Sequence, residues 1–561
     1  MSTLEFDRVG VVRPDAGELQ AALEGAAQAV AASVTADDAA AALGGWESLG
    51  RTYETQRSVA SIRFSQDTRA EAHRADKQYF DELDPSVTGW NLDVLRALVG
   101  SDHRAALEAR FGAHPFRLWE TTLTSFDPSI ADHKRRESEL GNRYDDLRAT
   151  IAVDFQGHKH TLSTLRAFYG DADRAVRLGA RQAEDAALAA HQDAFDGIYD
   201  ELVHVRDEMA RVLGYPGYTG LGYAEMRRTD WDATDAAAFR GAIRDDIVPL
   251  ATAIYARRAK AVGLADPALH DELVADPRGN VHPLGDAAWL EGIAAEVYDQ
   301  LVPELGTFYR GLRERRVLDL LPRDGKVGGG FCDGLADLDT PFILANFVGN
   351  QDDVEVLVHE TGHAFQWHRA SRLPLRDCHF PTFEAAEIHS MGLEFLVHPE
   401  AERFFGDDAE RWRREHLEDA MLFLGYGAAV DAFQHDVYAD PKLGPAARAS
   451  RWSELERTFL PHRRYQGAPY FAGGRFWQRQ SHIFVRPFYY LDYGLAQTCA
   501  LQLWALARKD RKDALARYVR LCDLGGSKPF RALLAEVGLD DPFAPGVLAR
   551  VRDEVAGAIG L

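Results

Sequence analysis

Cysteine is scarce. The chain has four among 561 residues, namely Cys332, Cys378, Cys499 and Cys522, with no CxxC pair. That spacing offers neither a disulfide framework nor a thiolate metal site, and reduced thiols in the cytoplasm are expected. Also missing is any uncharged apolar run long enough to cross a bilayer. The amino terminus, MSTLEFDRVGVVRPDAGELQ, lacks a basic segment leading into an apolar one, so neither a membrane anchor nor an export signal is expected. Positive charge is in deficit, 64 Lys plus Arg against 87 Asp plus Glu, for a net charge of −23. Such a surface repels phosphate backbones and anionic headgroups, which argues against nucleic acid and membrane as partners. Internal repeats and long linkers are absent too, which favours lobes folded together over separate beads.

What is present is helical periodicity. From Leu188, apolar residues recur at Phe195, Ile198, Leu202, Val205, Met209 and Val212, the stripe of an amphipathic helix ending at GYPGYTG. A second stripe through Phe239, Ile243 and Ile247 meets Pro249 and resumes through Leu250 and Ile254, which predicts a kink or restart at the proline. The first 320 residues are mostly of this kind. A change comes at GKVGGGFCDGLADLDTPFILANF, residues 325–347, where Gly-rich sequence leads into PFILANF, the one clear strand candidate. Gly328 to Gly330 are not followed by a helix at dinucleotide-binding spacing, so a phosphate cradle is not expected.

Chemistry concentrates after that strand. NQDDVEVLVHETGHAF reads as a helix with Asp352 and Asp353 in its first turn and Val354, Leu357 and Val358 in the core. His359 and His363, four apart, share one face and can direct ring nitrogens at one metal ion, with Glu360 beside them as a base. Catalytic zinc needs three protein ligands and an open position. FPTFEAAEIHSMGLEFL, residues 380–396, provides a second helix with carboxylates. Glu387 is the expected third ligand, Glu384 its rival, and Glu394 suits a partner that fixes a histidine ring. An HExxH can arise by accident among 20 histidines, but a helix bearing it, followed two dozen residues on by a carboxylate-bearing helix, argues against accident. His368, His379 and His389 are read as solvated or structural. Further on, residues 467–497 mix Gly, Tyr and His as a mobile loop over a cleft would, with Tyr490 and Tyr493 one turn apart and able to stabilise an oxyanion. A buried aromatic cluster is the plainer alternative for that segment.

With GKVGGGFC and PFILANF before the helix, HETGH on it, EIHSMGLE after it and HIFVRPFYYLDYGLAQ near the end, the chain resembles the thimet oligopeptidase family of zinc metallopeptidases, in its oligoendopeptidase F branch. GYPGYTGLGYAEMRR resembles an upstream segment of that family, and together these cover about residues 210–500. The resemblance implies a mainly α-helical body whose two lobes face each other across a deep substrate channel, with a small β-sheet near the active site. The expected division is an amino-terminal helical lobe at 1–190 and a catalytic region at 191–561, with the lobes interleaved. It further implies one zinc ion per chain on His359, His363 and Glu387, Glu360 as general base, and His482, Tyr490 and Tyr493 contacting the substrate carbonyl and the intermediate. The spacing from His482 to the tyrosines varies among members, so Tyr489 stays open beside Tyr490. Gln366 stands where many members carry a histidine, and Met391 where some carry glutamine.

The function expected is zinc-dependent hydrolysis of internal bonds in short peptides, with PFILANF pairing with the extended substrate and the glycines at 467, 473 and 474 letting the tyrosine loop close. The alternatives are a zinc carboxypeptidase on a similar helical body, and a peptide-binding protein with structural zinc. The intact Glu360 argues against the latter, since a structural site needs no base.

Overall fold

The computed structural model describes residues 5–561, and helices dominate it. Five come first: α1 (Ala16–Ala31), α2 (Ala36–Gln66), α3 (Glu71–Val99), α4 (Arg104–Phe111) and α5 (His114–Ser125). α2 starts at a capping box, in which the Thr35 hydroxyl accepts from the Asp38 N–H and the Asp38 carboxylate accepts from the Thr35 N–H. These helices enclose a hydrophobic core of their own, built on Trp46, Phe80, Leu98, Phe116 and Trp119. A larger core takes in almost everything after Ile130. Hydrophobic packing thus passes from the small core to the large one near residues 119–130. The division is not clean: Phe6, Val59 and Ile62 belong to the large core, and Leu375 and Cys378 to the small one.

The middle of the chain holds α6 (Ala131–Thr150), a hairpin of β1 (Ala152–Phe155) and β2 (His158–Thr161), then α7 (Arg174–Ala189), α8 (Gln192–Val212) and α9 (Tyr218–Glu225). Leu188 lies on α7, separated from α8 by a break at Ala190–His191, so the expected single stripe is two helices. The buried face of α8 runs through Phe195, Ile198, Leu202 and Met209, while Val212 is exposed. At Pro249 the restart is present. α10 (Ala233–Ala242) passes through a π-helical turn at Ile243–Ile247 into α11 (Val248–Ala261), where the proline occupies a first-turn position that needs no N–H donor.

After α12 (Ala287–Leu301) and α13 (Pro303–Glu314) comes a three-stranded sheet in the order β3 (Leu318–Asp319), β5 (Thr340–Leu344), β4 (Phe331–Leu335). PFILANF supplies β5, which is buried throughout and paired on both sides, parallel to β3 and antiparallel to β4. Its backbone groups are therefore taken, and the expectation that it pairs with a substrate is overturned. The edges are the two-residue β3 and the longer β4, which the glycine-rich stretch contributes. Its glycines mark close approach to the next helix. A Cβ on Gly334 would lie 2.1 Å from Trp367 Nε1, and one on Gly330 3.3 Å from Glu360 Oε1.

Two helices follow that position the site, α14 (Gln351–Ala370) and α15 (Phe383–Leu396). The Asp353 carboxylate accepts from the N–H groups of Val348 and Gly349, satisfying donors just ahead of α14. The connection between the two helices is clasped by the amino-terminal layer. Arg376 reaches Glu47 and Glu54 on α2 and lies 4.1 Å over the Trp46 ring; Asp377 accepts from Trp119 Nε1 at 2.8 Å. The chain continues with α16 (Ala401–Phe405), α17 (Ala409–Ala439) and α18 (Pro445–Phe459), a run of short turns containing α19 (Ser481–Val485), then α20 (Tyr490–Lys509), α21 (Arg511–Leu524), α22 (Phe530–Glu536) and α23 (Val547–Ile559). Among the described residues, no helix is long and apolar enough to cross a membrane.

Candidate metal centre

α14 presents His359 and His363 on one face, and α15 crosses close enough to bring Glu387 against both. The ligating atoms of these three residues lie within 4.8 Å of one another. Glu387 Oε2 is 3.5 Å from Nε2 of His359 and 3.5 Å from Nε2 of His363. Ligands on a tetrahedral zinc ion with bonds near 2.1 Å stand about 3.4 Å apart, which the two separations from Glu387 match. Two borderline-soft imidazoles with one carboxylate also match the chemistry of zinc. The histidine side chains keep 24% and 14% of their surface exposed, which leaves a path from solvent to the fourth position.

Tautomers follow from the neighbours. Glu394 Oε1 lies 2.7 Å from His359 Nδ1, and because a carboxylate only accepts, that nitrogen donates and Nε2 is left bare toward Glu387. Glu394 is held in turn by His416 Nε2 on α17 at 3.0 Å, and His416 Nδ1 meets His398 Nε2 at 2.9 Å. Glu387 is fixed from three directions: by the two imidazoles, by Ser390 Oγ at 3.2 Å and by the Tyr489 hydroxyl, which donates to its Oε1 at 2.7 Å. Burial opposes its ionisation, but the two adjacent imidazoles hold its pKa well below the usual carboxylate range. Glu360, also buried, is pushed the other way: desolvation raises its carboxyl, only partly offset by the nearby histidines.

Glu384, the rival, is not brought to this cluster. It is fully buried one turn earlier and accepts from Trp231 Nε1 at 3.0 Å, on the side of Arg228. His389 and His379 are buried, with His389 Nδ1 at 3.3 Å from Ala386 O and His379 Nε2 at 3.0 Å from Leu373 O, while His368 stacks on Phe308.

His482, Tyr489, Tyr490 and Tyr493 form one aromatic group, with ring centroids of the three tyrosines 5.6, 5.1 and 5.9 Å from the imidazole. Gln480, oriented by the Tyr426 hydroxyl on its oxygen, donates to His482 Nδ1 at 2.7 Å, so the neutral ring carries its proton on Nε2. Burial and then Arg486 push this imidazole down to about 4, keeping it neutral at physiological pH. Tyr489 is the tyrosine that touches Glu387; Tyr490 packs with Phe423 and Tyr426.

The segment carrying these residues is packed rather than loose. Phe471, Trp477 and Phe484 are buried. A Cβ on Gly474 would lie 2.0 Å from Ala449 O, and one on Gly467 2.2 Å from Gln182. Close approach and positive φ, not hinge motion, account for those two glycines. Just before the tyrosines, Phe488 adopts φ of 67°, a conformation costing about 1–2 kcal/mol for a non-glycine residue. Its N–H donates to Gln434 Oε1 at 2.9 Å, and its carbonyl accepts from Arg228 Nη2 at 2.7 Å. Arg228 also pairs with Asp492 at 2.7 Å, both side chains wholly buried. Neither Gln434 nor His416 stands out in the sequence, because each acts across more than 20 residues and belongs to no local motif, and Arg228, though it ends GYPGYTGLGYAEMRR, meets partners some 260 residues away.

Comparison with known proteins accords with this geometry. The model described as Peptidase M3 N-terminal domain matches residues 6–126, and that of Peptidase family M3 matches residues 288–553. The chain is 24% identical over 376 residues to oligopeptidase PepF of Bacillus subtilis (strain 168), covering 62% of this chain and 54% of that protein, so it spans about half the length of that relative. An X-ray structure of a provisionally named oligoendopeptidase F superposes with a TM-score of 0.95 at 40% identity, covering 99% of each chain. PZ peptidase A, solved with an inhibitor, gives 0.95 at 38% identity, again over 99% of each chain. Identity of this order over the full length, on the same helical body, places the chain in peptidase family M3, in its oligoendopeptidase F branch.

Proposed function

We propose that the chain is a zinc-dependent endopeptidase that hydrolyses internal bonds of short peptides, with one zinc ion per chain on His359, His363 and Glu387. The observation that supports this most directly is the pair of 3.5 Å separations from Glu387 Oε2 to the two Nε2 atoms, with Glu360 on the same helix. A zinc ion there supplies Lewis acidity, polarising a peptide carbonyl and lowering the pKa of water from 15.7 to about 7. Glu360, its pKa raised by burial, takes the proton from the attacking water and hands it to the leaving amine. His482, neutral with its proton on Nε2, and the hydroxyl of Tyr490 or Tyr493 donate to the oxyanion as it forms. Tyr489 orients Glu387. The outer edge of β4, running over α14 beside Glu360, offers backbone groups to an extended peptide, a role that the central β5 cannot take.

Metal content tests the assignment. Glu387→Ala loses bound zinc, whereas Glu360→Gln keeps it and loses hydrolysis. Full zinc occupancy with normal cleavage in Glu387→Ala would overturn the ligand set. Cleavage of an end-blocked peptide at an internal bond separates this reading from a carboxypeptidase.

A further inference from the structure

Beside the imidazole and tyrosine cluster lies a cleft of about 720 Å³, walled by α5, α6, α9, Phe383 and residues 484–487. Phe383 is the partition, its ring edge-on to Tyr489 with centroids 5.0 Å apart. Most charges on the walls are matched to one another. Lys134 binds Glu137 at 2.9 Å and also Glu225; Arg206 binds Glu137 at 2.6 Å; Arg227 binds Asp377 at 2.6 Å. Arg486 differs: it is exposed to the cleft, and among the described residues no carboxylate, Asp145 across the cleft included, lies within ion-pair distance of its guanidinium.

The backbone carrying Arg486 is pinned. Arg206 Nη2 donates to Phe484 O at 2.6 Å, Arg486 N donates to His482 O at 2.9 Å, and Tyr489 N donates to Arg486 O at 3.3 Å. The guanidinium therefore springs from a fixed point one helical turn past His482 and three residues before Tyr489. Its charge contributes, after burial, to keeping His482 neutral.

Resting on the peptidase reading above, we propose that Arg486 holds the free C-terminal carboxylate of the bound peptide in this cleft. A guanidinium presents two parallel N–H donors that match the two oxygens of a carboxylate. On a chain with a net charge of −23, a cation without a partner beside the reacting groups is a point of attraction for a group that the remaining surface repels. The apolar wall of Phe383 and the exposed Val485 receives the side chains near that end. Binding then requires a chain end close to the cleaved bond, which selects short peptides over internal stretches of proteins.

The test is a quenched fluorescent peptide of about eight residues, prepared as the free acid, as the C-terminal amide, and as an amide ending in Glu. The expected wild-type result is a KM about tenfold higher for the plain amide than for the acid, the gap narrowing in 0.5 M NaCl as charge is screened. Arg486→Gln brings the amide-to-acid KM ratio close to one, and Arg486→Lys retains part of it. Equal KM for acid and amide in the wild type overturns the assignment. So does an equal loss on both peptides in Arg486→Gln, the mark of a structural role. An amide ending in Glu that matches the acid would transfer the site to side-chain carboxylates and overturn the terminal assignment. Hydrolysis of none of the peptides would remove the peptidase reading, and this assignment with it.

Discussion

Gly362 stands inside the HETGH segment, where α14 and α15 touch backbone to backbone. A Cβ at this position would lie 2.5 Å from His389 O and 2.7 Å from Ser390 Cα, against 3.4 Å or more for ordinary contact. Both obstacles are main chain, so no side chain can rotate away. Gly362→Ala must push α15 back by about 1 Å, and Glu387, one turn from Ser390, retreats with it. Alanine favours the helix by about 1 kcal/mol over glycine, while overpacking costs about 1–3 kcal/mol, so the net loss of stability is about 0–2 kcal/mol. The larger effect falls on the site. A misplacement of about 1 Å costs about a hundredfold in rate, and stretching the 3.5 Å separations from Glu387 to the imidazoles weakens zinc binding. Urea denaturation, zinc affinity by chelator competition and kcat/KM on a short peptide read the three effects. Gly392→Ala is the control, since its Cβ comes closest to Leu503 Cδ1 at 3.2 Å, the end of a flexible side chain, and meets the Tyr518 ring only at an ordinary 3.8 Å. Zinc affinity and kcat/KM within twofold of wild type in Gly362→Ala would refute the reasoning.

Three further outcomes are expected. Tyr490→Phe lowers kcat about a hundredfold with little change in KM, as loss of one oxyanion donor does, whereas Tyr489→Phe, which frees Glu387 Oε1, acts first on zinc affinity; the reverse pattern would exchange their roles. Asp492→Ala strands Arg228 in a site with no exposure and destabilises by about 3–5 kcal/mol; a loss under 1 kcal/mol in urea denaturation would show that the pair is dispensable. His114 is buried with neither ring nitrogen hydrogen-bonded, and desolvation, then Arg227 and Arg117, push it down to about 4. The unfolded chain, with histidine near 6.5, binds the proton first as pH falls. Stability is therefore intact above 6.5 and lost between 6.5 and 4, by about 2 kcal/mol at pH 5. His114→Phe flattens that part of the curve, and an unchanged slope between pH 7.5 and 5 would count against it.

The helix bearing His359 and His363, and the one bearing Glu387, were legible because helical periodicity and four-residue spacing are local properties, written within a dozen residues of chain. The restart at Pro249 belongs to the same class, since a missing N–H acts at its own position. PFILANF could be read as a strand, but not as the central one. Which strand keeps a free edge depends on β3 and β4, whose pairing joins residues 5–25 positions apart and follows from satisfying buried backbone groups rather than from composition. Likewise Glu384, three residues from Glu387 on one helix, stayed a rival to it as third ligand until the crossing of α14 and α15 turned Glu387 toward two imidazoles and Glu384 toward Trp231. The glycines near Tyr490 suggested motion from sequence, whereas the fold uses two of them to let backbone approach Ala449 and Gln182. Sequence determined the residue types capable of holding a metal and moving a proton, because chemistry resides in side chains. Tertiary structure alone decided which of them meet, because contacts such as His416 with Glu394 or Arg228 with Phe488 depend on helix crossings that no local pattern encodes.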